Sequence, residues 1–371
     1  MDAAAAPHAF AIPPVSVHRP TSVTEDLITL AAGVWLLTGT YVDGWAHNNL
    51  PDLETFFTPW HAILYSGFAA CALWIAALAW RRHAPGQRWT EAIPAGYGAA
   101  AAGVILFLVS GVADFAWHSV FGIEQSIKAL FSPSHLGLAM GGFLILGAPF
   151  SAAWHSPGRS WPRLATAAVS AMLAGMVAAF ILQEFAVFAR HGLIQTYIGA
   201  AGIQPAVTSP TSSSIIVSLG SFFVSTAALF MPVLLLSLRW RLPAAVTAAV
   251  VLVPSVALQI MVAVRDPWLV PVALIGSVLV GLVWVAVRPA PDRPRRLIAA
   301  LGLSPAVFWA PYFAGVALHD GALSFPPEIW AGTLVWTGLE MLALAVLALR
   351  GGEGSHSHER EPAAARGSGG D

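Results

Sequence analysis

The residue types best suited to chemistry in this sequence form a pattern that occurs twice. Residues 43–61 read DGWAHNNLPDLETFFTPWH, and residues 114–135 read DFAWHSVFGIEQSIKALFSPSH. Each copy contains Asp-x3-His, then a glutamate, and then Phe-[Thr/Ser]-Pro-x-His. The copies are offset by 71 residues at the Asp-x3-His and by 74 residues at the final histidine. A single Asp-x3-His is weak evidence for a pair of ligands. Its duplication together with the downstream histidine indicates that these residues act as a set.

Each copy supplies one carboxylate and two imidazoles, which together form a candidate set of metal ligands. The two sets are Asp43, His47 and His61, and Asp114, His118 and His135. Nitrogen and oxygen donors of these types suit copper, iron or zinc, and they disfavour Ca²⁺ or Mg²⁺ as the main ion. Glu54 and Glu124 are expected to bridge, to bind the metal or to hydrogen-bond to its ligands. The alternative, in which these side chains only cap helices and pair at the water boundary, stays open. No catalytic residue is assigned.

Ten long apolar runs must hold these residues in place. Hydrophobic residues make up 57% of the chain and charged residues only 10%, and the mean hydropathy is +0.71. Because a soluble domain carries about 25% charged residues, this composition predicts a polytopic membrane protein. The apolar residues run continuously instead of alternating, which favours an all-α transmembrane helical bundle. The predicted spans are residues 27–48, 58–80, 94–118, 133–154, 164–189, 214–237, 243–263, 268–287, 297–318 and 327–349.

Spans 1–2 and spans 3–4 are predicted to form an internal repeat of two helix hairpins. In each hairpin the Asp-x3-His ends the first helix, where the i, i+4 spacing puts both side chains on one face. Thr58-Pro59 and Ser132-Pro133 are typical helix starts, with a hydroxyl at the N-cap and proline at the first helical position. Hairpins of one orientation are related by an axis along the membrane normal. If they pack as neighbours, the two ligand sets should lie within about 10 Å of each other.

The charge pattern predicts the orientation of the chain and its divisions. Of the 18 lysines and arginines, 15 fall on the side of the membrane that holds both termini. The positive-inside rule therefore predicts a multi-pass protein of the cell (inner or plasma) membrane with cytoplasmic termini and outward-facing ligand sets. We divide the chain into a cytoplasmic N-terminal tail (1–26), a metal-site half (27–155), the remaining transmembrane helices (156–350) and a disordered C-terminal tail (351–371). The lipid bilayer is the expected partner, and the absence of a basic patch predicts no nucleic-acid partner.

Residues 43–135 resemble the metal-binding pattern of the membrane C subunit of copper-dependent monooxygenases, the particulate methane and ammonia monooxygenase family. That family also carries [Asp/Asn]-x3-His…His ligand sets on neighbouring helices. The resemblance implies copper at the six positions and oxidation of a small apolar substrate by O2. It also implies partner subunits.

Three functions are consistent with the pattern. The first is a monooxygenase-like oxidoreductase that acts on a small apolar or lipophilic substrate at a copper or iron site near the outer membrane face. The second is a metal-transport or metal-delivery protein, and the third is a metal-dependent membrane hydrolase. A transporter should carry polar residues along a path through the bilayer, and Glu340 is the one clear mid-span example. Glu340 is expected either to be protonated and structural or to belong to a proton path.

Overall fold

Helices dominate the part of the chain that the computed structural model describes, namely residues 18–50, 56–122, 130–189, 210–321, 323 and 325–357. This part contains twelve α-helices and no β-strand. The helices are α1 (Val23–Asn49), α2 (Pro59–Arg82), α3 (Trp89–Ala92), α4 (Gly98–Phe121), α5 (Pro133–Leu146), α6 (Ala148–His155), α7 (Trp161–Ile181), α8 (Pro210–Arg239), α9 (Ala244–Met261), α10 (Leu269–Val287), α11 (Pro294–Asp320) and α12 (Pro327–Ser357).

Among the described residues, ten helical segments are long and apolar enough to cross a membrane, with α5 and α6 counting as one. The chain is therefore an all-α multi-pass membrane protein that sits in a lipid bilayer, and the predicted fold class is confirmed. Most span boundaries differ from the prediction by a few residues. The third span begins at Gly98 instead of residue 94, after a turn in which Gly96 has a φ of +85°. The fifth ends at Ile181 instead of residue 189, and a 3₁₀ turn at Gln183–Phe185 follows.

Both hairpins start their second helix with the predicted cap. Thr58 Oγ1 accepts a hydrogen bond of 3.1 Å from the His61 N–H, and Ser132 Oγ accepts one of 3.4 Å from the His135 N–H. A proline occupies the first position of α2 and of α5, where a missing N–H costs nothing. These caps place the final histidine of each copy in the first turn of its helix.

A glycine at the same place in each hairpin lets its two helices approach closely. Gly67 and Gly141 each lie six residues after the histidine in the first turn. A Cβ on Gly67 would lie 2.6 Å from Leu36 Cα in α1, and one on Gly141 would lie 2.8 Å from Phe107 N in α4. Any larger residue would push against backbone atoms, so small residues are needed at these crossings. The glycines thereby set the distance between the ligand-bearing helices.

The opposite end of the hairpins is held by a buried carboxylate. Asp26 in the first turn of α1 is fully buried. It accepts hydrogen bonds from Thr21 (2.8 Å), Tyr97 (2.9 Å) and Arg163 (2.5 Å). Because Tyr97 precedes α4 and Arg163 belongs to α7, one satisfied charge joins the ends of three helices. This network joins α1, α4 and α7 at the end of the hairpins that lies opposite the candidate ligands.

The two hairpins pack against each other through α2 with α4 and through α1 with α5. They pack against the rest of the molecule through α7 and α9. Helices α8 to α12 form a second packed region around large buried aromatic side chains. Phe308, Trp309 and Tyr312 of α11 are almost fully buried there. The ligand-bearing hairpins thus lie at the side of a larger helical body.

Candidate metal centre

The first triplet, Asp43, His47 and His61, lies where α1 ends and α2 begins. Asp43 Oδ2 is 3.8 Å from His47 Nε2, and Asp43 Oδ1 is 3.5 Å from His61 Nε2. One donor atom from each residue lies within 4.8 Å of the other two. Asp43 and His61 are buried, and His47 is partly buried. The three side chains therefore converge on one point although they come from two helices.

The second triplet, Asp114, His118 and His135, repeats this arrangement where α4 ends and α5 begins. Asp114 Oδ1 is 3.5 Å from His118 Nε2 and 3.3 Å from His135 Nε2. Its donor atoms also lie within 4.8 Å of one another. Here the carboxylate and the first histidine are buried, and His135 is partly buried.

The packing of α2 on α4 brings the two triplets side by side. The four imidazole rings form one cluster, in which the ring centroids lie 5.8 Å apart for His47 and His61, 6.3 Å for His61 and His118, and 5.7 Å for His118 and His135. Phe56 bridges the two triplets, because its ring stacks on His61 at 4.7 Å and lies 6.1 Å from His118. This spacing agrees with the separation of less than about 10 Å expected for packed hairpins.

Three of the four imidazoles have their Nδ1 atoms engaged on the side away from the aspartate. His61 Nδ1 lies 2.6 Å from the carbonyl oxygen of Phe56, and His118 Nδ1 lies 3.3 Å from the carbonyl oxygen of Gly122. His135 Nδ1 lies 2.7 Å from Ser132 Oγ. A hydrogen bond from Nδ1–H to a carbonyl selects the tautomer in which Nε2 carries the free lone pair. The atoms that face the aspartates in His61 and His118 are thus suited to bind a cation.

The two triplets fit a transition-metal ion. An ion about 2 Å from each donor, at coordination angles near 90–110°, separates the donors by about 3–3.5 Å. The observed nitrogen–oxygen distances of 3.3–3.8 Å are close to this spacing. In addition, His118 Nε2 is buried without a hydrogen-bond partner among the described residues. Such an atom normally has a partner, and a bound cation would satisfy it.

A cavity of about 90 Å³ adjoins both triplets. Asp43 and His47 of the first triplet and His135 of the second triplet form part of its wall. The remaining wall is mostly apolar and comes from α1, α2, α4, α5 and α7, with side chains such as Leu64 and Phe180. A cavity of this size and lining accommodates a small apolar molecule better than water.

Comparison with known proteins identifies no relative. No protein-family model matches the chain, and neither the curated proteins nor the solved structures searched include a match.

The structure brings all six predicted ligands together. Of the three predicted glutamates, it describes only Glu340. Glu54 and Glu124 lie outside the described residues. Glu340 lies in α12, which packs against α8 and α11. Its Oε2 atom is buried without a hydrogen-bond partner among the described residues.

Three residues of the centre were not predicted, namely Phe56, Tyr65 and Ser134. Ser134 Oγ donates a hydrogen bond of 3.0 Å to Asp114 Oδ1, and the Tyr65 hydroxyl donates one of 3.4 Å to Asp114 Oδ2. Tyr65 lies one helical turn after His61, and that i, i+4 spacing is a signal in the sequence. Ser134 directly precedes His135. Its contact with Asp114 depends on the crossing of α4 and α5, which the sequence alone does not specify.

Proposed function

We propose that this chain is a membrane metalloprotein that holds two transition-metal ions side by side and oxidises a small apolar molecule. The observation that carries the proposal is the pair of Asp/His/His triplets at the wall of an apolar cavity. Copper is the proposed metal, with iron or zinc as alternatives, because imidazole and carboxylate donors suit all three. The proposed orientation places this centre near the outer membrane face.

The protein's own residues would hold and orient the ions. Asp43 and Asp114 supply negative charge, and the imidazole Nε2 atoms supply neutral donors. The contacts of Nδ1 with carbonyl or hydroxyl oxygens keep the rings of His61, His118 and His135 turned towards the aspartates. When bound, copper or iron would supply one-electron redox chemistry and a site for O2.

The cavity would select the substrate. Its volume of about 90 Å³ suits a small molecule, and its mostly apolar wall offers little to polar molecules. An apolar substrate can reach such a cavity through the bilayer, where it is concentrated. The resemblance of residues 43–135 to the C subunit of copper membrane monooxygenases supports the same reaction class, and it favours partner subunits that deliver electrons.

Two other functions use the same residues. A metal-transport or metal-delivery protein would need polar groups along a path through the bilayer. The six ligands instead cluster at one end of the hairpins, and Glu340 belongs to a helix packed elsewhere. A hydrolase would use a metal-activated water, whereas the wall of the adjoining cavity is mostly apolar. Both observations favour the oxidation of an apolar substrate.

The test is oxygen incorporation by the purified protein in lipid nanodiscs. The protein is loaded with copper or iron, a chemical reductant supplies two electrons, and propene and ¹⁸O2 are added. We expect an ¹⁸O-labelled product detected by mass spectrometry, with the second oxygen atom released as water. His47→Ala should abolish the product, because it removes a ligand at the cavity wall. His155→Ala is the matched control, because His155 is an exposed histidine outside the triplets.

Other outcomes would point to the alternative functions. Retention of zinc alone, with no product under any condition, would favour the hydrolase. Rapid loss of copper to a soluble acceptor, again with no product, would favour metal delivery. Either outcome would contradict the proposed oxidation.

A further inference from the structure

The two triplets differ in how deeply their equivalent residues are buried. The side chains of Asp114 and His118 are 1% and 2% exposed, whereas those of Asp43 and His47 are each 13% exposed. The histidine in the first turn of the following helix shows the opposite order, with His135 at 19% and His61 at 5%. The carboxylate and its i+4 histidine are therefore better shielded in the second triplet.

The second carboxylate is also held by two hydroxyl groups. Ser134 donates to Asp114 Oδ1 and Tyr65 donates to Asp114 Oδ2. Each carboxylate oxygen has a second lone pair that remains available to a metal. Two donors fix the plane of the carboxylate before any ion arrives, so that less ordering is needed when the ion binds.

Among the described residues, the positions that correspond to Ser134 and Tyr65 in the repeat carry no hydroxyl group that could serve Asp43. The position that corresponds to Ser134 is Trp60, whose ring packs edge-on against Trp45 at 6.1 Å. The position that corresponds to Tyr65 is Ala139, which lines the cavity. The duplicated hairpins thus share their ligands but differ in the side chains that position those ligands.

The first triplet is the one that lies more openly on the cavity. Both Asp43 and His47 line it, whereas of the second triplet only His135 does. His47 Nδ1 is buried without a hydrogen-bond partner among the described residues, so its ring orientation is less constrained than that of His118. A ligand set that is less constrained and faces a cavity releases its ion more readily.

We propose that the second triplet is the retentive metal site and the first triplet the exchangeable one, with Ser134 and Tyr65 acting as positioning residues for Asp114. The inference rests on the proposed function in one respect, namely that both triplets bind metal. Tyr65 connects the two hairpins. The residue comes from α2 of the first hairpin, and its ring lies 6.1 Å from that of His61, yet its hydroxyl serves the second triplet.

The test is a copper titration of the metal-free protein against a competing chelator, with bound copper measured by elemental analysis. We expect two classes of site, of which His118→Ala removes the tighter and His47→Ala the weaker. Ser134→Ala and Tyr65→Phe should each weaken the tighter class by about 10-fold and leave the weaker class unchanged. Both variants should also change the Cu(II) electron paramagnetic resonance spectrum of the tighter site. Ser134→Thr, which keeps the hydroxyl, should restore both readouts.

Tyr97→Phe is the matched control. Tyr97 also donates its hydroxyl to a buried aspartate, Asp26, but at the opposite end of the hairpins. Its loss should leave both affinity classes and the spectrum unchanged even if it lowers the thermal stability. Equal affinities in the two triplets, or an unchanged spectrum in folded Ser134→Ala and Tyr65→Phe, would overturn the inference alone. A folded wild-type protein that binds no copper, iron or zinc would overturn the proposed function as well.

Discussion

At the scale of single residues, the buried carboxyl groups differ in whether they have hydrogen-bond donors. Asp26 has three hydrogen-bond donors, and Asp114 has two. Glu340 lies within an apolar span, and its Oε2 atom has no hydrogen-bond partner among the described residues. A carboxyl group in this position costs free energy in the folded protein.

We therefore expect Glu340→Leu to stabilise the protein by roughly 1–3 kcal/mol, because it replaces an unsatisfied polar group with an apolar one of similar size. The measurement is thermal unfolding in detergent or nanodiscs. Glu328→Leu is the matched control in the same helix. Glu328 is exposed in the first turn of α12, where a negative charge is favourable, so its loss should leave stability unchanged or lower. Lower stability in Glu340→Leu would show that this carboxyl group has a stabilising partner.

At the scale of helices, the geometry of the centre depends on how closely each hairpin packs. The Asp-x3-His comes from one helix and the last ligand from the next, so the crossing of the two helices sets the donor distances. Gly141 stands at the crossing of α4 and α5, where a Cβ would meet Phe107 N at 2.8 Å and Gly103 O at 2.9 Å. The neighbouring Gly142 has room, because its nearest contact would be the Phe107 ring at 3.9 Å.

We expect Gly141→Ala to destabilise the protein by about 1–3 kcal/mol, because the added methyl group forces two backbones apart. It should also weaken metal binding by the second triplet more than by the first. Gly142→Ala should change stability by no more than about 1 kcal/mol, with alanine favoured in the helix. Thermal unfolding and copper titration of both variants provide the measurement. Equal effects of the two substitutions would show that this crossing does not set the donor distances.

The sequence predicted the helices and the local geometry of each hairpin well, because these depend on short-range rules. A hydroxyl followed by proline predicted the starts of α2 and α5, and the i, i+4 spacing predicted one face for Asp43 and His47. Contacts between distant helices were harder to predict. The hydrogen bond from Tyr65 to Asp114 and the place of Phe56 between His61 and His118 depend on how α2 packs against α4. No local pattern specifies that packing.

At the scale of the whole molecule, the ten candidate spans among the described residues are an even number, which predicts that both termini lie on one side of the membrane. The distribution of lysine and arginine predicts that this side is the cytoplasm. A reporter fused after Gly86 or Asp292 should therefore report the cytoplasm, and one inserted between residues 195 and 210 should report the outer side. Alkaline phosphatase and green fluorescent protein fusions give the two opposite readouts. An outer-side signal after Gly86 would reverse the orientation and place the metal centre at the inner face.

The central claim for the whole molecule is that the two triplets bind transition-metal ions, and the metal content of the purified protein tests it most directly. Elemental analysis should give about two equivalents of copper or iron per chain, as expected for two sets of nitrogen and oxygen ligands. His61 and His118 are neighbouring ligands that belong to different triplets. The double variant His61→Ala/His118→Ala should therefore lose most of this metal. His83→Ala, a histidine after α2 at the opposite end of the hairpins, should remove none. Full metal content in the folded double variant would contradict the account, as would a folded wild-type protein without metal.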